Sequence, residues 1–180
     1  YYHHRYDEAR PRFEELIEKY PRTIEANYAA GLLVDSYLAE GNLTQVRTYS
    51  RRFTVNPPGP PTDLDPDRFK GTLEGTTFKL ALQDAEGKDP LLAAEAFLAF
   101  LTEFPKSEFA PDALYNAAYY NQQAGKADAA NQLYEQFVAK YPQDKRSKGL
   151  YFRIAANYEA TFELEKAVGY YDRVLSHKDA

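Results

Sequence analysis

The segment Phe97-Leu98-Ala99-Phe100-Leu101-Thr102-Glu103-Phe104-Pro105 returns 37 residues later as Tyr134-Glu135-Gln136-Phe137-Val138-Ala139-Lys140-Tyr141-Pro142. The same stamp, an aromatic, six residues, then an aromatic and proline, stands near the start as Phe13 to Tyr20-Pro21. A fourth proline, Pro58, falls between, so the intervals from Pro21 through Pro58 and Pro105 to Pro142 are 37, 47 and 37 residues. A stamp recurring at a fixed period marks a repeat array, in which each unit buries its apolar face against the next.

Working outward from the stamps, Gly and Pro divide the chain into nine expected helices, at 5–20, 23–40, 43–55, 66–86, 90–104, 109–124, 126–141, 146–161 and 163–176. Asp65-Pro66 and Asp89-Pro90 each set a capping carboxylate ahead of a proline at the first helical position. Gly41 and Gly125 stand where a left-handed residue closes a helix. Apolar spacing is of the three-four kind: Ala130, Leu133, Tyr134, Phe137, Val138 and Tyr141 share one face, as do Ala93, Phe97, Leu101 and Phe104. Strand-like alternation between turn signals is missing, so the chain reads as all-α.

Composition narrows the function classes. The 180 residues carry a net charge of −5, which argues against a nucleic-acid binder with a concentrated basic face. No apolar run approaches the roughly 20 residues of a membrane span, and no signal-peptide pattern opens the chain. Without cysteine there is no disulfide, thiolate chemistry or cysteine metal site. The start at Tyr1-Tyr2-His3-His4 and the absence of methionine lead us to expect a fragment or processed product, with a lipid anchor conceivable upstream.

Candidate chemical sites are weak. His3, His4 and His177 stand near opposite ends, where an extended array would keep them from sharing a metal. Asp63, Asp65, Asp67 and Glu74 match positions one, three, five and twelve of a calcium loop, but Arg68 takes the place of the required glycine and Pro66 opens a helix. Nucleophile elbows, phosphate-cradling glycine loops and zinc motifs are absent. Pairs such as Glu14-Glu15 read as solvated helix charge, and Asn42-Leu43-Thr44, a glycosylation pattern, coincides with a helix start that Asn42 can cap. The expectation is a non-enzyme with no cofactor and no metal.

The units resemble the tetratricopeptide repeat, a helix-turn-helix with small residues amid flanking aromatics and a closing proline. Leu114, Ala117, Ala118, Gly125, Ala130, Tyr134 and Pro142 carry the resemblance best. Tyr151, Ile154, Ala155, Tyr158, Ala167 and Tyr171 carry the next unit, with Phe162 in place of the usual glycine. Ala81, Ala93, Phe97 and Pro105 carry a third. The unit from 27 to 58 is weaker, with Leu33, Tyr37, Gly41 and Pro58 but Val46 and Ser50 where alanine and an aromatic are usual. The resemblance implies a right-handed superhelix, an α-solenoid forming one domain over 1–180. Its parts are an opening helix at 5–21, repeats at about 23–58, 66–105, 109–142 and 146–177, and a Pro-rich insertion at 57–65. That insertion reads either as a surface loop or as a cap on a partner groove.

The same resemblance implies a concave groove for a protein or peptide partner, lined by Tyr28, Asp35, Phe78, Lys79, Asp112, Tyr115, Asn116, Tyr119, Gln122, Gln123, Phe152, Arg153 and Glu159. Tyrosine with Asn and Gln offers flat rings plus donors and acceptors to an extended backbone. A carboxylate-gripping chaperone groove is not implied, because only Asn116 and Arg153 match its five positions while Phe78, Leu82 and Gly149 replace the rest. The phrase Phe104-Pro105-Lys106-Ser107 before Ala110-Pro111-Asp112 is similar to bacterial envelope members, such as the lipoprotein of the outer-membrane β-barrel assembly machine and the Tol-Pal coordinator. It implies a periplasmic or outer-membrane-associated scaffold, against the alternatives of a cytoplasmic protein, a self-assembling motility or secretion component stacking through its end helices, and a targeting module of a larger protein.

Overall fold

The computed structural model describes residues 5–60, 67–87 and 89–176. These form helices α1 (Tyr6–Lys19), α2 (Ile24–Ala39), α3 (Leu43–Val55), α4 (Arg68–Ala85), α5 (Pro90–Glu103), α6 (Ala110–Gln123), α7 (Ala127–Lys140), α8 (Ser147–Ala160) and α9 (Leu164–Ser176). All nine expected helices are present within two residues at each end, and no strand occurs among the described residues. The fold class is all-α. Two compact units, 1–80 and 81–180, divide the chain inside α4.

Two kinds of turn alternate, and each has a local cause. After α2, α6 and α8 the chain closes in the same left-handed turn. Gly41, Gly125 and Phe162 take φ of 71, 72 and 61°. In each, the next residue reaches five back: Asn42 N–H donates to Tyr37 O at 2.9 Å, Lys126 to Asn121 O at 2.9 Å, and Glu163 to Tyr158 O at 2.8 Å. Together with the bonds from Gly41 N–H to Leu38 O, Gly125 N–H to Gln122 O and Phe162 N–H to Glu159 O, each at 3.0 Å, this double closure satisfies the orphan carbonyls of the helix end. Phe162 adopts it without glycine's freedom, at a cost of about 1–2 kcal/mol.

The second turn is set by proline. Tyr20, Phe104 and Tyr141 leave the helix with φ/ψ of −126/52, −127/62 and −126/58°, because the proline ring that follows disfavours the helical conformation. The turns after α5 and α7 then repeat bond for bond. Ser107 N–H donates to Phe104 O at 3.1 Å and Asp144 N–H to Tyr141 O at 3.0 Å. Ser107 Oγ accepts from Phe109 N–H at 3.2 Å, as Asp144 Oδ1 does from Arg146 N–H at 2.9 Å. Helix starts follow their caps too: Thr23 accepts from Ala26 N–H at 3.1 Å, Asn42 from Gln45 at 3.2 Å and Asp89 from Leu91 at 2.9 Å. The cap expected at Asp65-Pro66 lies outside the described residues.

At α3 the structure refines the proline reading. Counted from Gly41, Val46, Ser50 and Phe53 are buried where α7, counted from Gly125, buries Ala130, Tyr134 and Phe137. The helix nevertheless ends one residue early, at Asn56 with φ/ψ of −129/84°, because Pro57 rather than Pro58 follows its last carbonyl. Pro58 is instead buried and accepts from Arg22 N–H at 2.6 Å. A side chain on Gly59 would lie 1.9 Å from Thr23 O, so glycine is required for this approach. The start of the Pro-rich stretch is thus docked on the α1–α2 turn, while 61–66 lie outside the described residues.

Candidate functional site

In the second unit, α7 packs against both α6 and α8, whose side chains meet beside it. Ala117, Ala118, Ala130, Ile154 and Ala155 are fully buried, and the four alanines leave room for the helices to approach. Between the helices runs a polar seam. Gln122 Nε2 donates to Asn157 Oδ1 at 3.0 Å, and Asn157 Nδ2 donates to the buried Asn131 Oδ1 at 2.8 Å. Gln122 Oε1 accepts from the Tyr134 hydroxyl at 3.1 Å and from Arg153 Nη1 at 3.4 Å. Burial pushes the Tyr134 hydroxyl up from its ordinary value and outweighs the opposing pull of Arg153, so it remains a neutral donor. A seam whose members are all paired specifies one arrangement of the three helices.

A clamp sits two to three turns away, toward the N-terminal ends of α6 and α8. Arg146 bonds Asp144 at 2.8 and 2.9 Å and Asp112 at 2.7 Å, and its guanidinium lies over the rings of Tyr115 and Phe137 at 5.1 and 4.9 Å. Bonding to Arg146 is the main reason the Asp144 carboxyl falls from its ordinary 3.8 to about 2. Tyr115 in turn packs edge-on against Phe137 at 6.0 Å. This site residue is therefore largely part of the core.

The thirteen residues expected at a groove divide accordingly. Asp112, Tyr115, Gln122 and Arg153 are held within the clamp and seam. Asn116 and Tyr119 are partly exposed and Gln123 exposed on α6, and Phe152 and Glu159 are exposed on α8, Phe152 at 56%. Phe152 meets the Tyr171 ring edge-on at 5.6 Å, and Glu159 accepts from the Tyr171 hydroxyl at 2.7 Å. The remaining four lie on α2 and α4. Tyr28 and Lys79 are exposed, Asp35 pairs with Arg68, whose guanidinium lies over Gly31, and Phe78 is buried. Phe78 is thus a core residue and cannot present its ring to a partner.

Sequence reading missed Arg146 and Arg10. Arg10 is 9% exposed. It donates to Ser36 Oγ at 3.0 Å, pairs with Glu40 and Asp7, and stacks on the Tyr37 ring at 4.0 Å. Nothing in a helical charge pattern separates such a guanidinium from a solvated one. The Asp144-Lys145-Arg146 spacing at a turn was the one available signal. Among the described residues no group of three or more His, Asp or Glu is placed to hold a metal ion, and no helix is long and apolar enough to cross a membrane. His3, His4 and His177, with Asp63 and Asp65 of the calcium-like stretch, lie outside the described residues.

A family model described as tetratricopeptide repeat matches residues 1–23 and 112–144, the second stretch spanning most of α6 and all of α7. Among solved structures, the crystal structure of BtubC (BKLC) from P. vanneervenii is similar over 95% of this chain and 70% of its own, at 18% identity and a TM-score of 0.50. The crystal structure of MamA aligns with 97% of this chain and 89% of its own, at 19% identity and a TM-score of 0.42. No curated protein matched the sequence. The two alternating turns and the family match at α6–α7 together make this an all-α fold of helix pairs with tetratricopeptide-like repeats.

Proposed function

We propose that the chain is a non-catalytic protein-interaction scaffold that receives an extended segment of a partner protein along the open side of α6 and α8. One observation carries this reading: exposed Phe152 on α8 and partly exposed Tyr119 on α6, with the amides of Asn116 and Gln123, flank a floor whose own polar groups are already paired. A ring anchor costs little conformational entropy to immobilise, and amides match the unpaired N–H and C=O of an extended backbone. The paired floor keeps those groups in place before a partner arrives.

Pull-down with wild-type protein and the Tyr119→Ala/Phe152→Ala variant tests the assignment. Loss of one or more partners is expected, and equal recovery of every partner defeats it. Tyr115→Ala is unsuitable, since it removes a ring packed on Phe137.

Placement in a bacterial envelope complex, periplasmic or outer-membrane-associated, rests on the resemblance of the Phe104-Pro105-Lys106-Ser107 phrase to envelope members of the family. Fractionation of the source cells, with recovery in the cytosol, overturns it.

A further inference from the structure

Phe162 combines two unfavourable features at one residue. It holds φ of 61° where the equivalent turns have Gly41 and Gly125, and it is 87% exposed. That exposure belongs to the turn itself: a Cβ built on Gly41 or Gly125 would meet nothing within 4 Å, although further helix pairs follow both. A strained backbone that carries a bare ring is an outlier from which a role for the ring is inferred. Three residues on, Glu165 is exposed and has no cation partner among the described residues.

The same unit holds a groove suited to a ring. Between the last turns of α5 and α7 lies a cleft of about 460 Å³, lined by Leu101, Pro105, Leu114, Gln136, Ala139 and Lys140. The 37-residue register shows what fits such a corner. One repeat later Leu114 becomes Tyr151 and Leu133 becomes Tyr170, and the two rings stack at 6.4 Å. Arg173, the counterpart of Gln136, lies 4.8 Å from the Tyr170 ring. The groove therefore occurs where this corner has leucines in place of a stacked pair of rings. Lys140 is the one charge in its lining, exposed and without a carboxylate partner among the described residues, and it complements Glu165. Ring and groove cannot meet within one chain. The groove lies at the C-terminal end of α7, and the turn holding Phe162 lies toward its N-terminal end, because consecutive helices run antiparallel. The 14 residues of α7 keep the two about 21 Å apart.

We infer that the chain associates head to tail with a second copy of itself: Phe162 of one copy seats in the groove beside Leu101, Leu114 and Ala139 of the next, and Glu165 meets its Lys140. Such a heterologous contact leaves a ring free at one end and a groove free at the other, so it propagates as an open chain and does not close at a dimer. One ring and one ion pair bury less than the roughly 1,200 Å² of a stable pair, so assembly is expected only at high concentration. No residue of the contact was assigned to the peptide face, and its test involves no partner protein, so the two readings fail separately.

Sedimentation equilibrium of the chain up to millimolar concentration tests the inference. The weight-average mass of the wild type is expected to climb with concentration past that of two chains. Phe162→Gly, which relieves the left-handed turn, and Ala139→Glu/Lys140→Glu, at two exposed positions, are each expected to weaken association at least about tenfold. An undiminished circular-dichroism melt in both variants separates this loss from unfolding. Mixed together, the two variants are expected to form a pair and stop there, since one supplies the groove and the other the ring. Four results overturn the proposal: a constant single-chain mass for the wild type, a wild-type plateau at two chains, undiminished association of Phe162→Gly, or variants that associate no better mixed than apart.

Discussion

Helices α3 and α7 hold the same place in their pairs, yet at one buried position α7 has Tyr134 and α3 has Ser50, both 0% exposed. Around Tyr134 the rings lie along the repeat: Tyr115 at 6.2 Å, then Phe137 against Tyr141 at 5.4 Å. Around Ser50 the aromatic volume has moved to neighbouring turns. Tyr37 stacks on Tyr49 at 5.4 Å, Tyr49 leads to Phe53 at 5.9 Å and Phe53 to Phe69 of α4 at 5.2 Å. The Tyr134 hydroxyl joins the polar seam, while Ser50 Oγ is buried without a partner among the described residues. The repeat therefore keeps the position buried while the rings that pack around it come from different turns.

The comparison breaks most sharply at Tyr134. Tyr134→Ala removes a fully buried ring and the seam's hydroxyl, and should cost about 3–5 kcal/mol in urea unfolding. A loss below about 1 kcal/mol would mean that the second unit collapses around the gap. Gly59→Ala tests the other region. Its Cβ meets Thr23 O, so the docked Pro58 must shift, at an expected cost of about 1–3 kcal/mol. An unchanged unfolding midpoint would show that docking contributes nothing to α3.

Smaller effects sharpen the contrast. Ser50→Ala deletes an unpaired buried hydroxyl and should stabilise by about 1 kcal/mol, against the usual sign of core truncation. Phe162→Gly should stabilise by roughly 0.5–1 kcal/mol, left-handed strain relieved less added unfolded-state entropy, whereas Gly125→Ala at the equivalent turn should destabilise. For pH, the folded Asp144 value lies below its ordinary 3.8, so its contribution is present above that value and is lost as pH falls toward about 2. Asp144→Asn should flatten that part of the acid-unfolding curve, by less than about 1 kcal/mol for so accessible a pair. An identical curve would remove the Arg146 clamp from the stability account.

Helix positions were legible because their signals are local: proline after Tyr20, Phe104 and Tyr141, glycine at 41 and 125, and side-chain caps at Asn42 and Asp89. The core at Ala130, Tyr134, Phe137 and Val138 was legible from its spacing. The face was only half legible. Gln122 and Arg153 have the chemistry of ligand-binding residues, and the tetratricopeptide resemblance implied a groove there, but whether their polar atoms are free depends on Asn157 and Tyr134. Phe78 was misread for a related reason, since an inward position in one pair is buried or open according to its neighbours.

By itself the sequence determined the order, lengths and ends of the helices and the 37-residue register, since these follow from interactions spanning a few residues. Only the tertiary structure decided that Pro57 rather than Pro58 stops α3, that Pro58 and Gly59 lock onto the α1–α2 turn, and that Arg146 binds Asp112. Each of these depends on which groups meet across helices, and burial and hydrogen-bond partnership are properties of that meeting rather than of any one segment.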